Sequence, residues 1–468
     1  MKRPGETDSL FSALRQSAKP KPVRAIEKLI HAGADRDLCR INALAFAAKH
    51  KLDEEDVIAA FLHAARLCIF DMSWNILCPA CGGVLDSGAT LKTVKQAEYR
   101  CVLCAEDCEP TLDEIVEVSF TISPRVRKIA AHDPETLPFV QYYRQIFWSS
   151  GVDLPDDKQL AEWVDETTLG AVELSAGEKT DLSVQLPEGY VIVFDPVLHM
   201  SQHIEVTGQP RSESRSLSFI MTRDHAPAPV LQMRPGPLRI TLENRLNVRT
   251  LPAVWFVTDR IHELVSKRRP FLTAKRLLTN QTFRDIYRTD TLDVDQRLKI
   301  TSLSFLFTDL KGSTELYERV GDLAAYDLVR AHFRILNEIV AAENGAVVKT
   351  IGDAVMATFP TPDRAMAAAL KMREAVQDLK GDLLLKIGIH EGPCLAVSLN
   401  DRQDYFGRTV NIAARVQGLA TSRSIFATGR VVTDHEASKL LQSNGIAATP
   451  EKRSLRGIAK QIEIFEIP

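Results

Sequence analysis

The chain has 468 residues, which exceeds the size of one typical domain, so the sequence predicts two to four domains. Hydrophobic residues make up 45% and charged residues 25% of the chain, a balance that is ordinary for a soluble globular protein. The formal net charge of −3 gives no general attraction to nucleic acid or to an anionic membrane. No apolar run approaches ~18 residues, and the first residues lack the apolar core of a secretory signal, so we expect a cytoplasmic protein without a membrane span.

Residues 1–74 are predicted to form a helical module similar to a helix-turn-helix unit. The segment PVRAIEKLIHAG has Pro22 near its start and Gly33 at its end, which is typical of a helix. Two further helices flank a short turn, and Asp53 is a good N-cap for the second of them. DNA readers of this shape place the start of that second helix in the major groove, but here it begins with four acidic residues, which phosphates would repel. We therefore predict a packing or interaction module and no nucleic-acid partner.

Residues 75–112 contain four cysteines with the spacing of a zinc ribbon. Two Cys-x2-Cys pairs are separated by 19 residues, and two glycines follow the first pair. Such pairs on tight turns can present four thiolates to one metal ion. We predict one structural Zn²⁺ per chain, and the alternative is four reduced structural thiols. Cys108 lies off the spacing and is predicted to be spare. The predicted ligands are Cys78, Cys81, Cys101 and Cys104.

Residues 113–265 are predicted to form a mainly antiparallel β domain, similar to a sandwich, with a regulatory role. Short apolar runs such as GYVIVFDPVL, SLSFIMTR and PAVWFV are separated by loops rich in proline, glycine and polar residues. One helix is expected at LPFVQYYRQIFWSSG. His199 and His203 are four residues apart, but the surrounding pattern is not helical, so no metal site is predicted there. Residues 266–297 are predicted to be a helical connector.

Residues 298–468 are predicted to form an α+β domain of the ferredoxin-like type, because helices alternate with strands of a mostly antiparallel sheet. A strand at KITSLSFLFTDL precedes one long helix, or two helices in succession, ending at Gly345. The hairpin VVKTIGDAVMATF follows, and then an amphipathic helix. The segment LLLKIGIHEGPCLAVSL is predicted to be a buried pair of strands.

Two aspartates of this last domain are candidates for metal binding. Asp309 ends the FLFTD strand, and Asp353 lies at the turn of the hairpin. Carboxylates at neighbouring strand ends can hold two magnesium ions, as phosphoryl-transfer chemistry often requires. The free N–H groups at the helix start that follows Asp309 can face phosphate oxygens, and they belong to Gly312, Ser313 and Thr314.

Three segments, FLFTDLKGST, KTIGDAVMATF and DYFGRTVNIAAR, resemble in order and spacing the signature segments of class III nucleotide cyclases, the adenylate and guanylate cyclase catalytic domain. The resemblance covers about residues 300–468. One departure is Gly-Ser-Thr where many members have Gly-Phe-Thr, which leaves the aspartate intact. The resemblance implies a site for two Mg²⁺ or Mn²⁺ ions at Asp309, Asp353 and the carbonyl of Leu310. It also implies that Lys349 and Asp404 select the base and that Asn411 and Arg415 stabilise the transition state. Arg456 is implied to contact the terminal phosphates.

The base-selecting pair predicts ATP as the substrate. Adenine offers N1 as an acceptor and its amino group as a donor, which match a donating Lys349 and an accepting Asp404. Guanine reverses the donor and the acceptor on these edges. In guanylate-selective members of the family, the residues at the matching positions resemble a Glu/Cys pair. We therefore predict an adenylate cyclase, and the alternatives are a guanylate cyclase or a catalytically silent scaffold.

The resemblance also implies a homodimer. In this family the active site lies between two catalytic domains, and this chain carries one such domain with both halves of the residue set. A head-to-tail pair with two equivalent sites follows. The region before residue 298 is expected to be regulatory, with an unknown ligand or protein partner.

Overall fold

The computed structural model describes residues 4–223, 228–287, 292–293, 296–311, 318–377, 384–399, 402–420, 424–458 and 460–468. The chain divides into two compact units. The N-terminal unit contains Met1–Ala89, Gln96–Pro110 and Ile115–Leu272, and the C-terminal unit contains Thr90–Lys95, Thr111–Glu114 and Thr273–Pro468. Among the residues just given, no helix has both the length and the apolar content that a bilayer span needs.

The N-terminal unit begins with four helices, at Pro4–Ser17, Pro20–Ala32, Ala43–His50 and Glu54–Arg66. The predicted cap at Asp53 is present, since its side chain accepts a hydrogen bond from the backbone N–H of Asp56 at 3.0 Å. The last helix buries Phe61, which stacks on Phe120 with ring centroids 5.0 Å apart. Aromatic packing of this kind fixes the helix against the first sheet of the unit.

That first sheet consists of β1 (Phe70–Leu77), β2 (Val84–Gly88) and β5 (Val116–Ile122), in the order β2-β1-β5. The strands β3 (Tyr99–Cys101) and β4 (Glu106–Cys108) form a separate hairpin. Cys78 and Cys81 lie between β1 and β2, Cys101 ends β3 and Cys104 lies between β3 and β4, so each predicted cysteine pair lies at the turn of a hairpin.

Two further sheets share one apolar core. The first has the order β10-β12-β7 and the second β11-β9-β8-β13-β6. The strands are β6 (Thr168–Ala171), β7 (Lys179–Leu186), β8 (Gly189–Asp195), β9 (Met200–Val206), β10 (Arg215–Met221), β11 (Leu231–Met233), β12 (Gly236–Asn244) and β13 (Ala253–Val257). The accompanying helices are Phe139–Tyr142, continued by a π-turn at Tyr143–Phe147, then Asp157–Thr167 and Asp259–Ser266.

The pairing of β10 with β12, and that of β11 with β9, is parallel, which the expectation of antiparallel strands did not include. The reason is the path of the chain. After β10 the chain crosses to the other sheet, where it forms β11, and then returns to form β12 beside β10. A strand that returns after such a crossover runs parallel to the strand it left.

The C-terminal unit contains a sheet with the order β15-β16-β14-β17-β19-β21-β20, and β18 pairs with β17. Its strands are β14 (Leu298–Lys311), β15 (Ala346–Ile351), β16 (Ala354–Phe359), β17 (Leu384–Leu399), β18 (Arg402–Phe406), β19 (Ile425–Thr428), β20 (Thr449–Arg453) and β21 (Ile462–Ile467). Its helices are Ala274–Leu278, Gln281–Ile286, Asp322–Ala342, Pro362–Gln377, Arg408–Gly418, Gly429–Val432 and His435–Ser443. The first four strands lie in the spatial order four-one-three-two, which is the predicted ferredoxin-like arrangement.

The predicted strand pair at LLLKIGIHEGPCLAVSL is wrong, because β17 is one continuous strand of 16 residues. Gly392 and Pro393 looked like a turn. In the sheet, Gly392 pairs with Leu303 and Cys394 with Ile300, so Pro393 lies opposite an irregularity of β14. Proline has no N–H to donate, and at such a bulge no ladder hydrogen bond is lost.

The helix Arg408–Gly418 packs very closely on β17. A Cβ atom added at Gly388 would lie 2.1 Å from the backbone nitrogen of Gln417, so only glycine fits at this position. On the opposite face, the helices Asp322–Ala342 and Pro362–Gln377 bury apolar side chains such as Leu336 and Met372. The sheet is therefore covered on both faces, and the close approach fixes the height of the helix Arg408–Gly418 above it.

His390 of β17 is predicted to make the protein sensitive to acid. Its Nδ1 lies 2.7 Å from Thr428 Oγ1, and burial, with help from Arg430 and Arg408, lowers its pKa to about 4. The unfolded chain therefore binds the proton more readily, and stability falls as the pH drops from about 6.5 toward 4. We expect His390→Asn to reduce the loss of unfolding free energy between pH 7.5 and pH 5 by about 2 kcal/mol, measured by urea unfolding. The exposed His435→Asn is the control, and equal pH sensitivity of the two variants would contradict the assignment.

Candidate active site and cysteine cluster

Asp309 and Asp353 lie at the same end of two neighbouring strands. Thr308 of β14 pairs with Val355 of β16, so Asp309 follows and Asp353 precedes that pair by one and two residues. Gly352, with φ of +63°, forms the tight turn before Asp353. Leu310 is buried beside them. The two strands thus bring together the predicted carboxylates.

The chemistry of these groups fits a divalent cation. The Oδ2 atom of Asp353 is buried and, within the described part of the chain, has no hydrogen-bond partner. A buried carboxylate oxygen in this state is costly unless a cation or donor reaches it. Asp309 is 35% exposed and lies 3.7 Å from Lys386 Nζ, a loose ion pair that leaves it accessible. Hard oxygen donors of this type are the ligands that Mg²⁺ and Mn²⁺ prefer.

Three residues of the predicted phosphate-facing loop, Gly312, Ser313 and Thr314, lie outside the described residues.

The sequence did not predict two neighbours of the aspartates. Lys386 is directly opposite Asp309 in the sheet register. His332 is fully buried in the helix Asp322–Ala342, and burial lowers its pKa to about 4 against the opposing charge of Asp353. No spacing motif links either residue to the aspartates.

Lys349 and Asp404 are 55 residues apart in sequence, yet their side chains are in direct contact, with Lys349 Nζ donating to Asp404 Oδ2. The side chain of Asp404 is 10% exposed, and that of Lys349 is 43% exposed. Asp404 Oδ1 also accepts from the backbone N–H of Tyr405 at 2.8 Å. One donor and one acceptor therefore lie side by side at the edge of the sheet.

Arg284, which the sequence reasoning did not single out, ties together the strands that carry this pair. It belongs to the helix Gln281–Ile286, and its Nη2 donates to the carbonyl oxygens of Gln403 at 2.9 Å and Val348 at 3.4 Å. These are the residues immediately before Asp404 and Lys349. In the same helix, Gln281 Oε1 accepts from the backbone N–H of Val347 at 2.8 Å.

Asn411 and Arg415 lie one turn apart on the helix Arg408–Gly418. Asn411 is exposed and Arg415 is half-buried. A Cβ atom at Gly457 would be 3.4 Å from Arg415 Nη2, so Arg415 lies beside the turn that carries the exposed Arg456. In the described ranges, no carboxylate forms an ion pair with Arg415, and an unpaired guanidinium is suited to a phosphate.

The predicted residues thus form three groups: the aspartate pair, the Lys349–Asp404 pair, and the helix face with Asn411 and Arg415. Within the described part of one chain, no hydrogen bond or ion pair joins the aspartate pair to either of the other groups. Asp309 lies near the end of β14 and Asp353 directly before β16, and these two strands are neighbours, whereas Lys349 lies on the edge strand β15.

Two family models match the chain. Residues 5–285, more than half of it, match a family of unknown function, DUF5939. Residues 296–465 match the adenylate and guanylate cyclase catalytic domain. The chain belongs to the DUF5939 family, and its C-terminal part carries a class III nucleotide cyclase catalytic domain.

Curated relatives match the cyclase domain at modest identity. The adenylate cyclase 2 of Rhizobium meliloti is 33% identical over 132 residues, which are 25% of this chain and 36% of the relative. The adenylate cyclase of Mycosarcoma maydis is 30% identical over 168 residues, which are 31% of this chain and 7% of the relative. The chain therefore spans only about a third or less of the length of these two relatives.

Solved structures of cyclases are also similar to this part of the chain. The adenylyl cyclase CyaB of P. aeruginosa has 21% identity and a TM-score of 0.32, and the match covers 37% of this chain and 96% of that one. The guanylate cyclase domain of RhGC from Catenaria anguillulae, in complex with GTP, has 19% identity and a TM-score of 0.33, and covers 36% and 97% respectively.

The four cysteines predicted to bind zinc form one cluster in the N-terminal unit of the cyclase. All four Sγ atoms lie within 4.8 Å of one another. Cys78 and Cys104 are 3.9 Å apart and Cys81 and Cys101 are 3.8 Å apart. Four sulfurs around a tetrahedral Zn²⁺ at ~2.3 Å would be about 3.8 Å from one another, so the donor set fits.

The backbone supports the same arrangement. The N–H groups of Cys81 and Gly83 point at the sulfurs of Cys78 and Cys81, at 3.5 and 3.4 Å. Gly82, with φ of +70°, permits the tight turn between them. Hydrogen bonds from the neighbouring thiols, that of Cys101 first, lower the pKa of Cys78.

We expect purified protein to contain about one Zn²⁺ per chain, and the Cys101→Ser variant to lose most of this zinc. The melting temperature of the variant should be lower by several degrees, because structural zinc contributes directly to folding. Metal content by mass spectrometry and thermal unfolding measure the two effects. Cys108→Ser is the matched control, because Cys108 lies outside the cluster. Equal zinc content in the two variants would show that the cluster is not the metal site.

Proposed function

We propose that the protein is an adenylate cyclase that converts ATP to 3′,5′-cyclic AMP and pyrophosphate. The observation that carries the proposal is the contact between Lys349 and Asp404. The ammonium group of Lys349 can donate to adenine N1, and the carboxylate of Asp404 can accept from the adenine amino group. The same pair would meet the N1–H of guanine with a donor and its O6 with an acceptor, so GTP would leave polar groups unpaired.

The reaction forms a bond between the ribose 3′-oxygen and the α-phosphorus and breaks the bond from that phosphorus to the bridging oxygen of pyrophosphate. Asp309, Asp353 and the Leu310 carbonyl would hold two Mg²⁺ or Mn²⁺ ions, which when bound lower the pKa of the 3′-hydroxyl and neutralise phosphate charge. Arg415 donates to the α-phosphoryl oxygens, where negative charge accumulates. Asn411, one turn earlier, orients the ribose.

The three groups of residues support a homodimeric active site. The aspartate pair makes no contact with the base-selecting pair in the described part of one chain, so we propose that each site combines the aspartates of one protomer with the Lys349, Asp404, Asn411 and Arg415 set of another. A two-fold symmetric pair of chains would then have two equivalent sites. Arg456 is proposed to contact the terminal phosphates, and Gly312, Ser313 and Thr314 to donate to them.

We further propose that the N-terminal unit regulates the cyclase and that the protein acts in the cytoplasm. The proposed layout is a helical module at 1–74, a zinc ribbon at 75–112, a β domain at 113–265, a connector at 266–297 and the catalytic domain at 298–468. The match of residues 5–285 to one family of unknown function supports a separate role for this region.

The test is a product assay with purified full-length protein, Mg²⁺ or Mn²⁺, and either ATP or GTP. We expect cyclic AMP as the main product. Cyclic GMP as the main product would show that the base-recognition argument is wrong. No product from either nucleotide would identify a catalytically silent scaffold.

A further inference from the structure

The N-terminal unit contains a cavity of ≈ 470 Å³ beside the cysteine cluster. Six aromatic side chains line it, together with apolar residues and two of the clustered cysteines, Cys81 and Cys104. The aromatic residues are Tyr143, Trp148, Trp163, Tyr190, Phe194 and Trp255. Volumes of roughly 300–1,000 Å³ with mainly apolar walls are typical of small-molecule sites.

The rings of the cavity wall pack against one another in tilted and edge-to-face pairs. The centroids of Trp163 and Trp255 are 5.7 Å apart, those of Trp148 and Trp163 are 6.2 Å apart, and those of Tyr143 and Trp255 are 5.5 Å apart. A planar ring placed in the cavity extends this network by the same geometry. An engineered cavity of ~150 Å³ holds benzene, so ≈ 470 Å³ has room for two or three rings.

The polar groups of the wall favour an uncharged occupant. His203 Nε2 lies 2.8 Å from the carbonyl oxygen of Val102, which can only accept, so Nε2 carries a proton. Nδ1 lies 3.3 Å from the Tyr190 hydroxyl, so both ring nitrogens of His203 have partners within the protein and neither requires a ligand. Among the described lining residues there is no lysine or arginine, and Glu106 is exposed at the rim. Among these lining residues an anion would find no cationic side chain and a cation no buried carboxylate, so a charged ligand would lose its hydration without an ion-pair partner.

We propose that this cavity binds a neutral, planar aromatic small molecule of two or three rings. Ile261 and Val265, on the helix Asp259–Ser266, line the cavity and are half-buried. The binding site lies wholly in the family region of unknown function and does not depend on the nucleotide that the cyclase uses.

The test uses the neutral fluorophore N-phenyl-1-naphthylamine with full-length protein. We expect saturable binding with one site per chain and a blue-shifted emission. Ile261→Trp, which fills the cavity from its half-buried rim, should raise the Kd by at least ~10-fold, and Val257→Trp should do the same. Val230→Trp is the matched control, because Val230 is 49% exposed and is not a lining residue, and it should bind like the wild type.

Competition defines the ligand class. We expect 2-naphthol to displace the fluorophore, whereas decanoate and benzyltrimethylammonium should not at the same concentration. Displacement by decanoate or by the ammonium in preference to 2-naphthol would overturn the assignment to a neutral aromatic ligand. Absence of saturable binding to the wild type, or equal affinity of Ile261→Trp, would overturn the site itself. Thermal melts that match the wild type establish that each variant is folded.

A second inference concerns Arg284 and rests on the proposed adenylate cyclase activity. Its Nη2 bonds to the carbonyls of Gln403 and Val348 hold the backbones that immediately precede Asp404 and Lys349. The Tyr405 hydroxyl, next to Asp404, donates to the carbonyl of Leu278 at 3.3 Å in the adjacent helix. We infer that Arg284 is a positioning residue that sets the spacing of the donor and acceptor that read the base.

Arg284→Ala is expected to lower the ratio of kcat/KM for ATP to that for GTP by at least about tenfold, because a displaced pair no longer matches the adenine edge. Arg284→Lys, which can still reach one carbonyl, should restore part of the ratio. Arg334→Ala, which removes an exposed arginine from the helix Asp322–Ala342, is the control and should keep the ratio. An unchanged ratio in an active Arg284→Ala protein would overturn this inference, whereas a wild type without cyclic product would overturn the proposed function.

Discussion

Asp353→Ala is expected to lower the rate of cyclic AMP formation by about three orders of magnitude, since metal ligation is worth several kcal/mol of transition-state stabilisation. The fold should survive. Asp353 lies at the tip of the β15–β16 hairpin, and its Oδ2 has no hydrogen-bond partner among the residues described, so the substitution breaks no bond to that atom. Initial rates at saturating Mg²⁺ or Mn²⁺ measure the first effect, and thermal unfolding measures the second.

The matched control is Asp327→Ala, which removes the same charge from an exposed position of the helix Asp322–Ala342. It should retain the wild-type rate. Asp309→Ala should behave like Asp353→Ala, although the loss of its ion pair with Lys386 also leaves that cation unpaired. Normal activity in either aspartate variant would contradict the proposed metal site.

Mixing two inactive variants tests the proposed dimer. Lys349→Ala and Asp353→Ala lie in the same hairpin but belong, in the proposed dimer, to different active sites. A mixed dimer then has one intact site. With equal amounts and free exchange, half of the dimers are mixed, so about a quarter of the wild-type activity should return. If the mixture stays inactive although exchange is shown with tagged chains, each site is contained in one chain.

Features that depend on neighbouring residues were predictable from the sequence. The tight turn at Gly352 and the N-cap at Asp53 follow from local periodicity and turn chemistry. The proximity of Cys78 to Cys104 follows from the pair spacing. In each case the signal lies within one or two elements, where residue type and position are strongly coupled.

Features that depend on contacts between distant segments were not predictable in this way. Arg284 reaches backbone carbonyls that any residue type would present, so nothing in the sequence of β15 or β18 announces the contact. Lys386 became a neighbour of Asp309 only through the sheet register. The continuous strand β17 was misread because Pro393 breaks strands in general, and the bulge that accommodates it lies in another strand.

Exchanging the base-selecting pair is expected to reverse the preference for ATP. In the Lys349→Glu, Asp404→Cys double variant, a carboxylate at 349 can accept from guanine N1–H and its amino group, and a thiol at 404 can donate to O6. With adenine in the same place, the N1 acceptor would lie against the carboxylate at 349, which is also an acceptor. The ratio of kcat/KM for ATP to that for GTP should fall by about a thousandfold, because discrimination by unpaired buried polar groups is strong.

The two single variants separate pairing from damage. Lys349→Glu alone places two carboxylates where Lys349 and Asp404 are now in contact, so it should be poor with both nucleotides. Asp404→Cys alone should lower the rate with ATP without creating a GTP preference. Lys439→Glu, an exposed charge reversal on the helix His435–Ser443, is the control and should keep the wild-type ratio. A double variant that is folded, active and still selective for ATP would mean that the base is read by residues other than this pair.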